Sequence, residues 1–112
     1  MKKMTENELQ KQCGEYIKKL GWEFLHLGYR GKSRHGYSAN NTGYPDLIIF
    51  ASSGKCFFVE LKVGDGKLNA KQILKKAILE NLGYGYYVCY NYQQFVEVIA
   101  GERFNTGGGN DR

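Results

Sequence analysis

Two short apolar runs, Asp46-Leu47-Ile48-Ile49-Phe50 and Phe57-Phe58-Val59-Glu60-Leu61-Lys62, carry charges where a buried strand normally has none. Between them Ser52-Ser53-Gly54-Lys55 reads as a tight turn, so the two runs pair as a hairpin. Strand side chains alternate between faces, which sends Phe58, Glu60 and Lys62 to one side and Val59, Leu61 and Val63 to the other. A turn centred on Ser53 sets Asp46 directly opposite Glu60, with the two Cβ atoms about 5 Å apart. Two carboxylates and an amine then converge on one point, and the fold has to give that cluster a reason.

A hard divalent cation is one reason. Two close carboxylates repel unless one is protonated or a cation neutralises them, and all-oxygen ligation favours magnesium or manganese. The Lys62 ammonium beside such an ion would orient a water or stabilise charge on a phosphate under attack. A cross-strand salt bridge on a solvated sheet face is the other reason, and spacing alone does not choose between them.

The rest of the chain frames the hairpin. Thr5-Glu6-Asn7-Glu8 has the form of a capping box, and Leu9, Cys13, Tyr16, Ile17 and Leu20 recur at helical spacing before Gly21 stops the helix. Residues 22–27 alternate apolar and polar side chains as a half-buried strand does, and His26 reads there as a strand residue rather than a catalyst. Residues 28–43 form a long polar loop in which Arg30, Lys32, Arg34 and His35 are interleaved with Tyr29 and Tyr37. Cations for phosphates beside aromatics for unstacked bases suit a nucleic-acid contact; a solvated loop has the same composition.

After Gly64-Asp65-Gly66 the spacing predicts a helix over 68–82, with Ile73, Leu74, Ala77, Ile78 and Leu82 as its core-facing stripe. Gln72 falls on the opposite side with Leu68 and Leu79, and Lys67, Lys71, Lys75 and Lys76 form a basic flank. Residues 84–90 read as a strand reached by a right-handed crossover, hence parallel to and beside the Glu60 strand. A short helix over 93–100 turns Phe95, Val96 and Ile99 inward, and the Gly-rich residues from 104 onward read as a frayed tail.

With 112 residues there is material for one core, and the formal net charge of +5 favours a polyanionic partner. Three dispersed cysteines indicate neither a disulfide framework nor a zinc site, and no run approaches membrane-spanning length. A soluble protein in the cytoplasm, without membrane contact, is the expectation.

Gly43-Tyr44-Pro45-Asp46, then a spacer, then Glu60-Leu61-Lys62, with Gln72 downstream, resembles the PD-(D/E)XK nuclease superfamily and its VRR-NUC (virus-type replication-repair nuclease) branch over about residues 8–90. The resemblance implies an α/β, restriction-endonuclease-like fold: a mixed central sheet flanked by helices in the order α-β-β-β-α-β-α. It covers a single domain over 1–103, with a tail at 104–112. It implies a metal-dependent endodeoxyribonuclease with no organic cofactor. Asp46 and Glu60 would hold Mg2+ or Mn2+ with the Leu61 carbonyl and Glu8, although the capping role accounts for Glu8 unaided. Lys62 would act on the water, Gln72 would line the site, and Arg30, Lys32, Arg34, Lys71 and Lys75 would contact DNA.

Stand-alone members of this family, of phage and bacterial type, look like junction resolvases, whereas members fused to larger proteins act on flaps. The expectation is therefore a homodimer that resolves four-way DNA junctions in repair. Leu68, Leu79 and the tyrosines Tyr84, Tyr86, Tyr87, Tyr90 and Tyr92 are its interface candidates. A flap-type or nonspecific nuclease, a non-catalytic nucleic-acid-binding module and an assembly protein are the rival readings.

Overall fold

The fold is built from a computed structural model that describes residues 3–27 and 43–105. Helix α1 (Glu6–Lys19) begins as its sequence dictates: the Thr5 hydroxyl accepts from the Glu8 amide at 3.1 Å, and the Glu8 carboxylate accepts from the Thr5 amide at 2.8 Å. Its apolar side, Leu9, Cys13 and Ile17, is completely buried. Gly21 follows the helix at φ +79°, the left-handed conformation that ends it at no steric cost.

Strands β1 (Glu23–His26), β2 (Leu47–Phe50), β3 (Cys56–Leu61) and β4 (Gly85–Cys89) form one sheet in the order β1-β2-β3-β4. The first three are antiparallel neighbours and β4 runs parallel to β3, as the crossover length requires. The β2–β3 turn is a single 3-10 turn at Ser52–Gly54, with Ser53 itself left-handed at φ 67°. Leu47 pairs with Val59 and Ile48 with Phe58, so one step further along the same register Asp46 faces Glu60.

Alternation then divides the core. Leu47, Ile49, Phe57, Val59, Leu61 and Cys89 face α1 and α3 (Tyr92–Asn105), whose Phe95 and Ile99 are fully buried. Helix α3 continues to Asn105, beyond the end at 100 read from the sequence, and Glu102 explains part of the extension: its buried carboxylate accepts from the Tyr87 hydroxyl and pairs with Lys55 Nζ at 2.8 Å. A side chain tethered to β4 and to the residue just before β3 carries the helix one turn further than its apolar spacing does.

On the opposite face, Phe58 and Tyr86 pack with Leu79 of α2 (Ala70–Asn81). Here the sequence reading is corrected. The stripe expected to enter the core is exposed, with Ile73 at 57%, Leu74 at 63%, Ile78 at 44% and Leu82 at 66%, and it is Gln72 and Leu79 that turn to the sheet. Gln72 faces the sheet because the buried Glu60 carboxylate lies below α2 and takes its side-chain amide as a donor. Leu25 and Phe50, on the same sheet face over β1 and β2, are also exposed, at 53% and 41%. No described helix is long and apolar enough to cross a membrane.

Candidate active site

The cluster forms where the chain enters β2. Gly43 adopts φ +84° and lies so close to α2 that a Cβ would stand 2.4 Å from the Lys71 carbonyl oxygen, so only glycine fits there. Tyr44 follows beneath Lys75, whose Nζ sits 4.1 Å from the ring centroid. The buried Pro45 then delivers Asp46, whose carbonyl accepts from the Leu27 amide at 2.6 Å and so holds the end of β1 against the site.

Asp46 and Glu60 are nearly sequestered from solvent, at 7% and 3% exposure. Each carboxylate accepts from a backbone amide of the opposing segment: the Asp46 amide donates to Glu60 Oε1 at 3.1 Å, and the Leu61 amide donates to Asp46 Oδ2 at 2.8 Å. The second Glu60 oxygen accepts from Gln72 Nε2 at 3.0 Å and stands 3.4 Å from Lys62 Nζ. Gln72 is fixed at both ends, because its Oε1 also accepts from the Asn69 amide at 2.9 Å as part of the α2 capping box.

Burial, and then the Asp46 charge, push the Glu60 carboxyl up to about 7, against the pull of Lys62. Burial also raises Asp46, offset in part by the Leu61 hydrogen bond; Glu6 raises it further, while His26 and Lys62 lower it. A pair that resists being doubly ionised by itself is what a cation would relieve. The donors are carboxylate and carbonyl oxygens, so the residues fit a hard divalent ion. Among the described residues no third His, Cys, Asp or Glu joins the pair to make a three-ligand cluster.

Asp46, Glu60, Lys62 and Gln72 thus meet at one point, with the Leu61 backbone among them. Glu8 is held in the α1 capping box, and Glu6, two residues earlier on that helix, is the residue of α1 whose charge bears on Asp46. Lys71 and Lys75 lie along the start of α2 against the Gly43-Tyr44 segment. Arg30, Lys32 and Arg34 lie outside the described residues.

Sequence reasoning placed none of Glu6, His26 and Tyr86 near the pair: His26 reads as a strand residue and Tyr86 as an interface candidate. Tyr86 is 5% exposed, its hydroxyl has no hydrogen-bond partner among the described residues, and burial together with the Glu60, Asp46 and Glu80 charges raises its pKa. The only advance signal for it was register, since β4 beside β3 sets Tyr86 opposite Phe58, on the face of Glu60.

The comparisons with known proteins agree with this geometry. None of the curated proteins matches the chain. A solved structure described as a VRR_NUC domain superposes with a TM-score of 0.67 at 26% identity, covering 85% of this chain and 94% of its own. The family model of the VRR-NUC domain matches residues 4–92, a span that includes every residue of the acidic cluster. The chain belongs to the VRR-NUC family and is a nuclease domain.

Proposed function

We propose that the chain is a magnesium- or manganese-dependent DNA endonuclease that cuts four-way junctions as a homodimer. The observation that carries the catalytic half is the facing, buried Asp46–Glu60 pair with Lys62 Nζ 3.4 Å from it. A module that only bound DNA would gain nothing from two carboxylates at its contact surface, where they repel phosphates.

Asp46, Glu60 and the Leu61 carbonyl are the proposed ion ligands; Glu8 would join them by releasing the Thr5 amide. When bound, the ion supplies Lewis acidity, neutralising the acidic pair and the charge that develops on the phosphate. The chain's own residues do the rest. Lys62 would orient the attacking water and stabilise the developing negative charge, and Gln72 holds the Glu60 carboxylate in place. Arg30, Lys32, Arg34, Lys71 and Lys75 are the proposed phosphate contacts.

The dimer half rests on the exposed face of α2. Ile73, Leu74, Ile78 and Leu82, together with Leu25 and Phe50 across the uncovered part of the sheet, offer the apolar surface that self-association needs. The interface residues first considered do not all remain available: Leu79 and Tyr86 are buried in the chain's own core, whereas Tyr84 and Tyr90 are exposed. Two sites related by a two-fold axis match the symmetry of a four-way junction. Sedimentation at micromolar concentration, followed by cleavage of a mobile junction labelled on single strands, tests this. A dimer that nicks two symmetry-related strands is expected; a strict monomer, or a dimer that cuts flaps and spares junctions, overturns it.

A further inference from the structure

Between α1 and β1 lies a groove of about 270 Å³, on the face of the sheet opposite the acidic pair. Its floor is apolar, made by the Phe24 ring and Leu47, and Gly14 lets that ring approach the helix closely, since a Cβ there would stand 2.8 Å from it. Into this apolar setting projects Gln10, only 8% exposed, whose Nε2 has no hydrogen-bond partner among the described residues. A buried amide donor left unpaired is a standing cost unless a ligand satisfies it. Lys11 and Lys18 stand at the rim with His26, and Glu15 is the one acidic group among them.

The groove is joined to the acidic pair by the chain itself. Leu47 on its floor follows Asp46 directly and pairs across the sheet with His26 on the rim. The N-terminal end of β2 is therefore a ridge, with the carboxylates on one flank and the groove on the other. A strand whose phosphate lay at the carboxylates would bring its neighbouring nucleotide over the ridge.

We propose that the α1–β1 groove is a subsite for one unpaired nucleotide of the strand being cut, with Gln10 Nε2 donating to an acceptor on the base edge. This rests on the nuclease reading above. The chemistry favours a base over a phosphate in the floor: the deep donor is neutral and its neighbours are a phenyl ring and a leucine, where an anion would lose hydration without a charge to replace it. The rim cations suit the flanking phosphates, and the aromatic, apolar floor suits a base.

The test follows the Gln10 side-chain amide by proton–nitrogen NMR while single-stranded hexathymidine is added in the presence of a chelator. Saturable shifts at Gln10 and Gly14 are expected. Gln10→Leu should weaken hexathymidine binding three- to tenfold and leave blunt duplex affinity unchanged; Lys18→Ala, at the exposed rim, gives the same selective loss should the first variant not fold. Gln10 signals that stay still while the wild type retains metal-dependent cleavage overturn the subsite and leave the nuclease reading standing. Shifts that follow protein concentration without DNA also overturn it, because a second chain would then be the occupant. A wild type that cleaves no DNA removes the nuclease reading and the subsite together.

Discussion

Glu60 concentrates the physical tension of the molecule: a carboxyl pushed up to about 7 by burial and by Asp46, yet held by three donors. Without metal, the folded state keeps the Glu60 proton between about pH 4.5 and 7 while the unfolded chain loses it. The native state then binds more protons, so stability falls as pH rises through that window and levels off above it, by at most about 3 kcal/mol. Glu60→Gln should flatten the slope and raise the metal-free melting temperature at pH 8 above that of wild type; thermal melts from pH 4 to 8 check this. Magnesium competes for the same site with the proton, so its apparent affinity should drop as pH falls below about 7, measurable by calorimetry. Gln72→Leu leaves a buried carboxylate oxygen short of a donor, and a loss of roughly 1–3 kcal/mol is expected in denaturant titrations. The Asp46–Glu60 opposition was legible in the sequence because an odd-length turn and strict alternation leave one register, whereas the contribution of Glu6 was not, since helix spacing says nothing about which turn meets a distant strand.

At the scale of elements, α2 is where sequence and structure part. Its periodicity located an apolar stripe, but a stripe reads the same whether it meets the chain's own sheet or another surface. What turned the helix was one buried charge: Gln72 caps the helix and donates to Glu60, and with that contact fixed, Leu79, two turns on, is the side chain carried into the core. The capping boxes of α1 and the crossover to β4, by contrast, are local or length-determined and were readable in advance. Replacing Leu74 and Ile78 together by lysine should leave the monomer's far-UV dichroism unchanged and its unfolding free energy within about 0.5 kcal/mol of wild type, because neither is in the core. If these residues form the proposed interface, the same variant should sediment as a monomer. A variant that unfolds would show that the stripe belongs to the chain's own core.

For the whole molecule, the fold brings a short acidic site to one end of a four-stranded sheet and leaves basic side chains around it on a chain of net charge +5. Charge of that sign attracts any polyanion, so discrimination among DNA shapes would fall to the proposed pairing of two sites and to the proposed contacts of Arg30, Lys32 and Arg34. Neutralising Arg30, Lys32 and Arg34 should weaken DNA binding and reduce the slope of log affinity against log salt by roughly two to three units, if all three meet phosphates. An unaltered slope would mean that the loop does not touch the backbone. If Asp46 and Glu60 work together as a metal-dependent phosphodiesterase site, cleavage of a four-way junction over a magnesium titration by wild type, Asp46→Asn and Glu60→Gln will show it. Magnesium-dependent nicking by wild type, with a fall of at least about a hundredfold in each folded variant, is the expected result. Cleavage that is independent of magnesium, or undiminished in both variants, would contradict the account.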